Sequence, residues 1–277
     1  MIYKILDKKI IIDNLNEFNI EHIVECGQVF TYKKISNNDY LIYSKDQLAH
    51  VFKNENKYVI ETDNVNYFIN YFDLDTNYSE IKNKLLSNDI MTKSVDYGYG
   101  IRILKQDIYE VIIGFIISAN NNIKRIIKSM QKLREFGEIV NDYYAFPTID
   151  KLCTLTEEQF AEMGVGYRAK YLVETCKKLK EINIEQTFNY TDSQLREWLL
   201  SLQGVGPKVA DCILLYGYHR SLSFPVDTWM EKVYLDIFKT KKSRQKMAQD
   251  FMEYFGNLSG YAQQYLFFYK RTKSKIT

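Results

Sequence analysis

Residues 202–212 read Leu-Gln-Gly-Val-Gly-Pro-Lys-Val-Ala-Asp-Cys, and this stretch predicts a tight turn between two helices. Gly204 and Gly206 let the backbone turn sharply and come close to another group. Pro207 suits the first position of a helix, where its missing N–H leaves no intrahelical bond unmade. Because an amphipathic stretch leads into the turn, we expect a hairpin of two helices over about residues 193–218.

The backbone amides of this turn, at Gly204, Val205 and Gly206, form a candidate anion site. The start of a helix carries partial positive charge and N–H groups without intrahelical partners, so it can bind a phosphate group. A Gly-Val-Gly sequence between helices is also common as a plain tight turn. Glycine spacing by itself leaves both interpretations open, and the lysine that follows favours the functional one.

Lys208 and Asp227 are the candidate reactive side chains. Lys208 falls on the first turn of the second helix, where a cation opposes the helix dipole, so a purely structural role would be slightly unfavourable. An amine in such a place can attack carbon and form a Schiff base. Asp227 follows a proline at the expected N-cap of the next helix. A cap alone would explain this aspartate, but a carboxylate near an amine nucleophile can also stabilise developing positive charge.

Away from the hairpin, the chain divides into two halves with different apolar spacing. Up to about residue 92 the apolar residues tend to alternate, which predicts an antiparallel sheet. Beyond about residue 95 they recur every three or four residues, which predicts helices. The predicted helical segments are Ile108–Ser118, Ile123–Phe136, Glu157–Met163, Arg168–Ile182 and Ser193–Leu202.

These patterns predict an α+β fold with two domains that pack on one another. The first, residues 1–95, is an antiparallel β domain, and the second, residues 96–277, is helical, with C-terminal helices that can pack back on the first domain. Thr156 with Gln159, and Thr191 with Gln194, have the spacing of capping boxes at helix starts. A cleft between the two domains is the expected place for a ligand.

Composition is compatible with a nucleic-acid partner but does not identify one. The 277 residues are 46% hydrophobic and 15% aromatic, enough for a substantial core, and the formal net charge is only +2. Four cysteines lie far apart and form no C-x-x-C pair, so we expect neither a zinc site nor an iron–sulfur cluster. No signal-peptide pattern or membrane-spanning run is seen, so we expect a cytoplasmic protein that contacts no membrane.

The hairpin and the downstream Pro-Val-Asp resemble the helix-hairpin-helix (HhH-GPD) superfamily of DNA glycosylases. Elsewhere the chain is most similar to the bacterial type of 8-oxoguanine DNA glycosylase, and the similarity runs through nearly its whole length. The segments that carry it, besides the hairpin, are Cys26-Gly-Gln-Val-Phe, Ser118-Ala-Asn-Asn-Asn-Ile-Lys-Arg, Gly164-Val-Gly-Tyr-Arg-Ala-Lys-Tyr and Gly260-Tyr-Ala-Gln-Gln-Tyr-Leu-Phe.

The resemblance implies a bifunctional glycosylase and β-lyase that removes 8-oxoguanine from double-stranded DNA. Lys208 matches the nucleophile and Asp227 the essential carboxylate, and catalysis requires no cofactor. A sodium, potassium or calcium ion is expected on backbone carbonyls of the hairpin, such as those of Leu200, Leu202 and Val205. The implied fold is an N-terminal sheet of the TATA-binding-protein-like type packed on a helical glycosylase domain, and a monomer bound to the bacterial nucleoid through DNA is expected.

The resemblance also assigns residues that recognise the flipped base. Gly27 matches the glycine whose carbonyl accepts the N7 hydrogen of oxidised guanine, and guanine itself would place a lone pair against that carbonyl. Gln263 matches the glutamine that reads the Watson–Crick edge. Phe267 and Cys212 match the two groups that sandwich the base. Each has an ordinary alternative, a surface polar residue for Gln263 and core packing for the other two.

A third set of residues is matched to the opposite strand. Asn120 matches the residue that fills the gap left by the flipped base and bonds the orphaned cytosine, assisted by Arg125 and Arg168, while Tyr167 wedges the base stack. Trp229 stands where the animal and fungal relatives usually carry a histidine that contacts phosphate. The stringency for the base opposite the lesion is therefore not predicted.

Three alternatives are weighed against this assignment. An alkylpurine glycosylase of the same superfamily generally lacks the lysine, and an endonuclease III relative would carry a four-cysteine cluster near its C-terminus. A noncatalytic helix-hairpin-helix module that only binds DNA would have no need of Lys208 and Asp227 together. We therefore expect an enzyme.

Overall fold

The computed structural model describes residues 3–86 and 89–273. Its N-terminal part contains a six-stranded antiparallel sheet in the order β1-β2-β6-β5-β4-β3. The strands are β1 Tyr3–Leu6, β2 Lys9–Ile12, β3 Tyr32–Ser36, β4 Asp39–Ser44, β5 Gln47–Asn54 and β6 Lys57–Thr62. Adjacent partners follow the antiparallel register, as in Ile10 opposite Ile60 and Val51 opposite the same Ile60.

One face of the sheet is buried because apolar residues alternate along its strands. In β4, Tyr40 and Ile42 are fully buried while the residues between them are partly exposed. Two helices, α1 Ile20–Glu25 and α2 Val65–Tyr71, contribute the facing layer, and their buried residues join the sheet in one apolar cluster. The sheet and these two helices therefore form one packed core.

The sheet ends earlier than the sequence pattern predicts. No strand of this sheet extends beyond Thr62 in the described residues, and α2 is followed by two further helices, α3 Tyr78–Leu85 and α4 Asp89–Tyr97. Asparagine caps begin α2 and α3, since Asn64 and Asn77 accept hydrogen bonds from first-turn amides. The boundary expected at residue 95 consequently falls inside α4.

The rest of the chain is almost entirely helical. Its helices are α5 Ile108–Ser118, α6 Ile123–Arg134, α7 Ile149–Cys153, α8 Glu157–Phe160, α9 Arg168–Glu181, α10 Ile184–Thr187, α11 Asp192–Leu200, α12 Pro207–Tyr216, α13 Thr228–Phe238, α14 Arg244–Phe255 and α15 Ser259–Lys273. Short connections include a two-stranded ribbon, β7 Ile139–Val140 with β8 Tyr143–Tyr144, a π-helical turn Ala161–Val165 and a 3₁₀ turn Gly256–Leu258. The five helical segments predicted from apolar spacing are all confirmed.

Capping residues and a proline determine where several of these helices begin. Both predicted capping boxes form: Thr156 and Gln159 at α8, and Thr191 and Gln194 at α11, exchange hydrogen bonds in both directions. Pro207 occupies the start of α12, as predicted. In the hairpin that α11 and α12 form, a reciprocal cap thus starts the first helix and a proline starts the second.

Helix α15 connects the end of the helical part with the N-terminal part. It packs along α4, and a single apolar cluster contains Met91 and Val95 of α4 with Tyr265 and Leu266 of α15. The C-terminal helix α15 therefore lies against a helix of the N-terminal part of the chain. No helix in the described ranges is long and apolar enough to cross a membrane.

Candidate active site

The turn of the hairpin is held by close packing at Gly204. Its φ is +80°, and a β-carbon there would lie 2.8 Å from Cδ2 of Tyr171 on α9. The amide of Val205 donates to the carbonyl of Leu202 over 3.2 Å, which closes the turn. A residue other than glycine would be strained and would collide with Tyr171.

Gly206 differs, because no residue among 3–86 and 89–273 requires a glycine there. Its φ of −90° and ψ of 178° are open to any residue, and a β-carbon would meet no atom within 4 Å. Gly206 is the N-cap of α12, and no side chain caps this helix start. The first-turn amides are therefore left to a ligand or to water, and the absence of a side chain lets that ligand come close.

Lys208 lies half-buried on the first turn of α12, beside an aromatic wall. Its Nζ is 5.6 Å from the centroid of the Phe115 ring, and that ring stacks on Tyr216 with 5.4 Å between centroids. Cys212, one turn further along α12, is 3% exposed, and burial raises the pKa of its thiol to about 11 although Lys208 opposes the shift. The lysine amine and a neutral thiol thus project from one side of the helix.

Asp227 caps α13, as the sequence predicts. Its Oδ1 accepts from the amides of Trp229 at 2.9 Å and Met230 at 3.0 Å. Across residues 3–86 and 89–273, no hydrogen bond to its Oδ2 is seen, and no ion pair joins it to Lys208 within 4.0 Å. The cap holds this carboxylate in one orientation and leaves its second oxygen for other partners.

An ion pair ties together the two helices of the hairpin. Arg196 of α11 donates to Oδ1 of Asp211 on α12. Asp211 is only 8% exposed, and burial raises the pKa of its carboxyl to about 6 against the opposing effect of Arg196 and Lys208. This pair lies one turn beyond Lys208 and fixes how α12 sits against α11.

A cavity of about 810 Å³ lies between the hairpin and α14. Its walls include Lys208, Asp211 and Arg196, and also Arg244 of α14. None of the residues assigned to the flipped base lines it, and every lining residue lies between positions 192 and 252. This cavity is therefore distinct from the group of base-recognition residues, whereas Lys208 lines it.

The structure brings Gly27 and Phe267 together from opposite ends of the chain. Gly27 has φ of +89°, and a β-carbon there would lie 3.2 Å from Cε1 of Phe267 and 3.0 Å from Nη1 of Arg271. The next residue, Gln28, is fully buried; it donates to the carbonyl of Arg102 at 2.7 Å and accepts from the amide of Leu104 at 2.9 Å. Gln28 therefore anchors the loop that presents the Gly27 backbone.

Gln263 is buried, 4% exposed, so the surface-polar alternative is wrong. Its Oε1 faces the Tyr216 hydroxyl at 3.1 Å, and its Nε2 faces the carbonyl of Pro225 at 3.5 Å. The adjacent Gln264 accepts from the same hydroxyl at 2.6 Å and donates to the carbonyl of Cys26 at 3.2 Å. Two buried glutamines of α15 thus link α12 to the loop that holds Gly27.

The residues assigned to the opposite strand form a separate group at the starts of α6 and α9. Asn120 is exposed with φ of +50°, and Arg125 is exposed on the first turn of α6. Tyr167 is 59% exposed, and the guanidinium of Arg168 lies 4.4 Å from its ring centroid. An exposed aromatic beside a left-handed asparagine suits insertion into a base stack.

Arg168 itself is buried, and its hydrogen bonds go to the protein backbone. Its guanidinium donates to the carbonyls of Ala119, Asn120 at 3.0 Å and Val165 at 2.9 Å. These bonds hold the turn that presents Asn120. The structure therefore gives Arg168 a positioning role, and its direct contact with cytosine stays a prediction.

Three contributors to the site were missed by sequence reasoning. Tyr216 orients Gln263, Gln28 anchors the Gly27 loop, and Arg271 packs on Phe267 with 5.1 Å from Cζ to the ring centroid. Gln28 lies inside a matched motif and could have been singled out as a polar residue next to a functional glycine. Tyr216 and Arg271 carry no local signal, because only the fold brings their partners near.

Two family models match consecutive parts of the chain. Residues 10–112 match the family model of the 8-oxoguanine DNA glycosylase N-terminal domain, and residues 113–257 match that of HhH-GPD superfamily base excision DNA repair proteins. The chain belongs to the HhH-GPD superfamily of base excision DNA repair proteins. Within that superfamily it is similar to N-glycosylase/DNA lyases of the 8-oxoguanine glycosylase branch.

The names of individual relatives agree with the two family models. A probable N-glycosylase/DNA lyase of Methanothermobacter thermautotrophicus is 31% identical over 227 residues, 72% of this chain and 71% of that protein. The N-glycosylase/DNA lyase of Saccharomyces cerevisiae is 41% identical over 153 residues, 48% of this chain. The matched part spans 41% of the yeast protein, less than half of its length.

Solved structures resemble the whole chain. The 8-oxoguanine glycosylase/lyase of Clostridium acetobutylicum, in complex with double-stranded DNA containing cytosine opposite 8-oxoguanine, superimposes with a TM-score of 0.92. It is 38% identical in sequence, and the match covers 99% of both chains. The two-part architecture described above is therefore that of this relative.

Proposed function

We propose that this chain excises 8-oxoguanine from duplex DNA and then cleaves the strand by β-elimination. The observation that carries the proposal is the placement of Lys208. Its amine extends from the uncapped start of α12, next to the Phe115 ring, and the carboxylate of Asp227 is held by the cap of the next helix. A phosphate bound by the hairpin amides would bring a sugar close to that amine.

The reaction begins with flipping of the damaged nucleotide, because C1′ cannot be reached inside a duplex. The Lys208 amine attacks C1′, the C1′–N9 bond breaks, and the base departs with the bonding electrons and takes up a proton. Asp227 stabilises positive charge on the sugar during this step. After nitrogen loses a proton, its lone pair forms the C=N bond of a Schiff base while the C1′–O4′ bond breaks and O4′ takes up a proton. Loss of a C2′ proton then forms a C2′–C3′ double bond and expels the 3′ phosphate.

Base selection is proposed to come from the Gly27 loop and α15. The Gly27 carbonyl accepts the N7–H of 8-oxoguanine, whereas guanine would leave two lone pairs facing each other. Phe267 and Cys212 enclose the two faces of the base, and Gln263 reads its Watson–Crick edge. The Tyr216 hydroxyl supports this role because it lies 3.1 Å from Oε1 of Gln263 and so fixes where the end of this side chain lies.

On the opposite strand, we propose that Asn120 occupies the gap left by the flipped base and bonds the orphaned cytosine. Tyr167 wedges the stack and Arg125 contacts the same region, and both side chains are exposed for this purpose. Trp229, half-buried on the first turn of α13, replaces the histidine of animal and fungal relatives. We propose no ranking of opposite bases from this position.

The proposed chemistry uses side chains alone and takes place on a monomer. An ion at the hairpin would sit on the carbonyls of Leu200, Leu202 and Val205; the Leu202 carbonyl accepts one hydrogen bond at 3.2 Å and keeps a second lone pair for a cation. Such an ion would neutralise phosphate charge. Within the described residues, no group of three or more His, Cys, Asp or Glu side chains could hold a metal ion.

Borohydride trapping tests the nucleophile. Wild-type protein should form a covalent adduct with an 8-oxoguanine duplex after reduction, and Lys208→Gln should lose the adduct while it still binds the lesion. An adduct of undiminished yield with Lys208→Gln would refute the assignment. The same duplex with each of the four bases opposite the lesion, and a matched 3-methyladenine duplex, would measure stringency and test the alkylpurine alternative.

A further inference from the structure

Arg271 lies on α15, one turn beyond Phe267. The proposed function assigns it no part in catalysis, in base recognition or in contact with the opposite strand. It is 9% exposed, its Nη2 donates to the carbonyl of Glu25, and its guanidinium carbon is 5.1 Å from the Phe267 ring centroid. Its Nη1 lies 3.0 Å from the place where a β-carbon on Gly27 would stand. Arg271 is thus packed against both the residue that would accept N7–H and the ring that would stack on the base.

Two nitrogens of this guanidinium have no acceptor in the part of the chain that the structure describes. In the described residues, neither Nε nor Nη1 makes a hydrogen bond, and no carboxylate lies within 4.0 Å of the side chain. Burial lowers the pKa of Arg271, although Glu25 and Asp227 are near enough to oppose the shift. A buried cation whose donors lack partners is costly, which suggests that a ligand supplies the missing acceptors.

The other buried arginines are better satisfied. Arg102, fully buried, donates to the backbone carbonyls of Phe72, Glu17 and Thr76. Arg134, 5% exposed, resembles Arg271 in packing on a ring, with 4.8 Å from its guanidinium to the Tyr43 centroid. One nitrogen of Arg134, Nη1, also makes no hydrogen bond, but this arginine differs from Arg271 in having a carboxylate, that of Glu110, at 3.9 Å. Among these three, only Arg271 stands beside the base-recognition residues.

We propose that Arg271 is a specificity-determining residue whose free N–H groups donate to an oxygen of the bound base. This assignment rests on the proposed function. In 8-oxoguanine, N7–H lies between two carbonyl oxygens, O6 and O8, so a base that meets the Gly27 carbonyl through N7–H presents an oxygen on either side. Nη1 lies next to Gly27 but is fully covered in the free protein, so the bond forms only if a neighbouring side chain such as Phe267 shifts as the base enters. The charge of Arg271 would also stabilise the electron pair that leaves with the base.

Two DNA duplexes can distinguish a role of Arg271 in base recognition from a role in phosphate binding or folding. One duplex carries 8-oxoguanine opposite cytosine, and the other carries an abasic site in the same sequence, which keeps the phosphates but has no base. Arg271→Met should lower the single-turnover rate of base excision about 10-fold to 100-fold, as expected for loss of hydrogen bonds from a charged donor. Its strand cleavage at the abasic site should stay close to that of the wild type.

Matched variants control for folding. Arg134→Met removes an equally buried arginine far from the base-recognition residues and should leave the ratio of the two rates unchanged. Arg271→Lys keeps the charge, should fold if the methionine variant does not, and should lower that ratio by less than Arg271→Met. Rates are normalised to the fraction of protein that borohydride traps on the abasic duplex, so misfolded molecules do not count.

Two results would overturn the assignment in distinguishable ways. If Arg271→Met slowed both substrates equally, or neither, Arg271 would have a structural or phosphate-binding role, or none, while the proposed function would stand. If the wild-type protein cleaved abasic duplexes but did not excise 8-oxoguanine, the proposed function would fail, and the assignment of Arg271 to that base would fail with it.

Discussion

Gly27 and Phe267 are in contact, and a β-carbon on Gly27 would lie 3.2 Å from Cε1 of the phenylalanine ring. The glycine belongs to the loop after α1, and the ring belongs to α15. The proposed base pocket is therefore built where the two ends of the chain meet. Its geometry depends on the absence of a side chain at position 27 and on a backbone with φ of +89°.

Gly27→Ala should damage base excision more than strand cleavage at abasic sites. The left-handed backbone costs an alanine about 1–2 kcal/mol, so the free energy of unfolding in urea should fall by roughly that amount. The added methyl would also displace Phe267 or Arg271. Excision of 8-oxoguanine that is unchanged in a variant destabilised by this amount would show that the loop does not recognise the base.

Gly206→Ser should weaken DNA binding without loss of stability. Serine is a favourable N-cap, and the space around position 206 is open, so the midpoint of urea unfolding should stay the same or rise. The new side chain would obstruct the approach of a phosphate to the amides of α12. The measurement is the dissociation constant for a lesion duplex at fixed salt.

Gly204→Ser provides the contrast within the same turn. Position 204 has φ of +80° and would place a β-carbon 2.8 Å from Tyr171, so this variant should be destabilised even without DNA. Equal stability of the two serine variants would contradict the distinction between a glycine required by the fold and a glycine required by the ligand. Unchanged DNA affinity in Gly206→Ser would contradict the phosphate site.

Asp227→Asn should separate catalysis from capping. Asparagine accepts the same hydrogen bonds from the amides of residues 229 and 230, so stability should change little, whereas Asp227→Ala should lose about 1 kcal/mol. Both variants lack the charge that would stabilise a cationic sugar. Each should therefore excise the base at least about 100-fold more slowly in single-turnover assays. A fully active Asp227→Asn would leave the aspartate with a structural role alone.

The buried carboxyl of Asp211 should make stability depend on pH. Its pKa is raised from 3.8 to about 6 in the folded protein, so the folded state binds more protons than the unfolded state between these values. The contribution of this group to stability is fully present below pH 3.8 and is lost as pH rises toward 6. The unfolding free energy of the wild type minus that of Asp211→Asn should accordingly fall over this range. A flat difference would show that Arg196 keeps the carboxyl ionised.

Much of the helical part could be predicted because its signals are local. Helix α5 begins and ends where the apolar spacing placed it, and both capping boxes form, since each depends on residues three positions apart. The sheet was predicted too long because α2, α3 and α4 have only seven, eight and nine residues. Helices this short are stable mainly through tertiary packing, in this case against the sheet and α15, which apolar spacing does not reveal.

Within the site, the reactive residues could be predicted more completely than the residues that position them. Asp227 was expected as an N-cap, and the structure confirms the cap. Arg168 was expected to face DNA, yet its donors are used on carbonyls of the turn at Asn120, because backbone acceptors have no sequence signature. The burial of Gln263 and the unpartnered donors of Arg271 likewise follow from long-range packing.

Because α15 packs along α4, the residues proposed to recognise the base come together only in the fully folded protein. The hairpin and Lys208 belong to a central helical cluster built from nearby segments, whereas Gly27, Gln263 and Phe267 meet only after the last helix has docked on the first part of the chain. A partly folded molecule with α15 undocked would carry the reactive amine without a device to tell damaged bases from normal ones. If the proposed function holds, cooperative folding would keep such an unselective form rare.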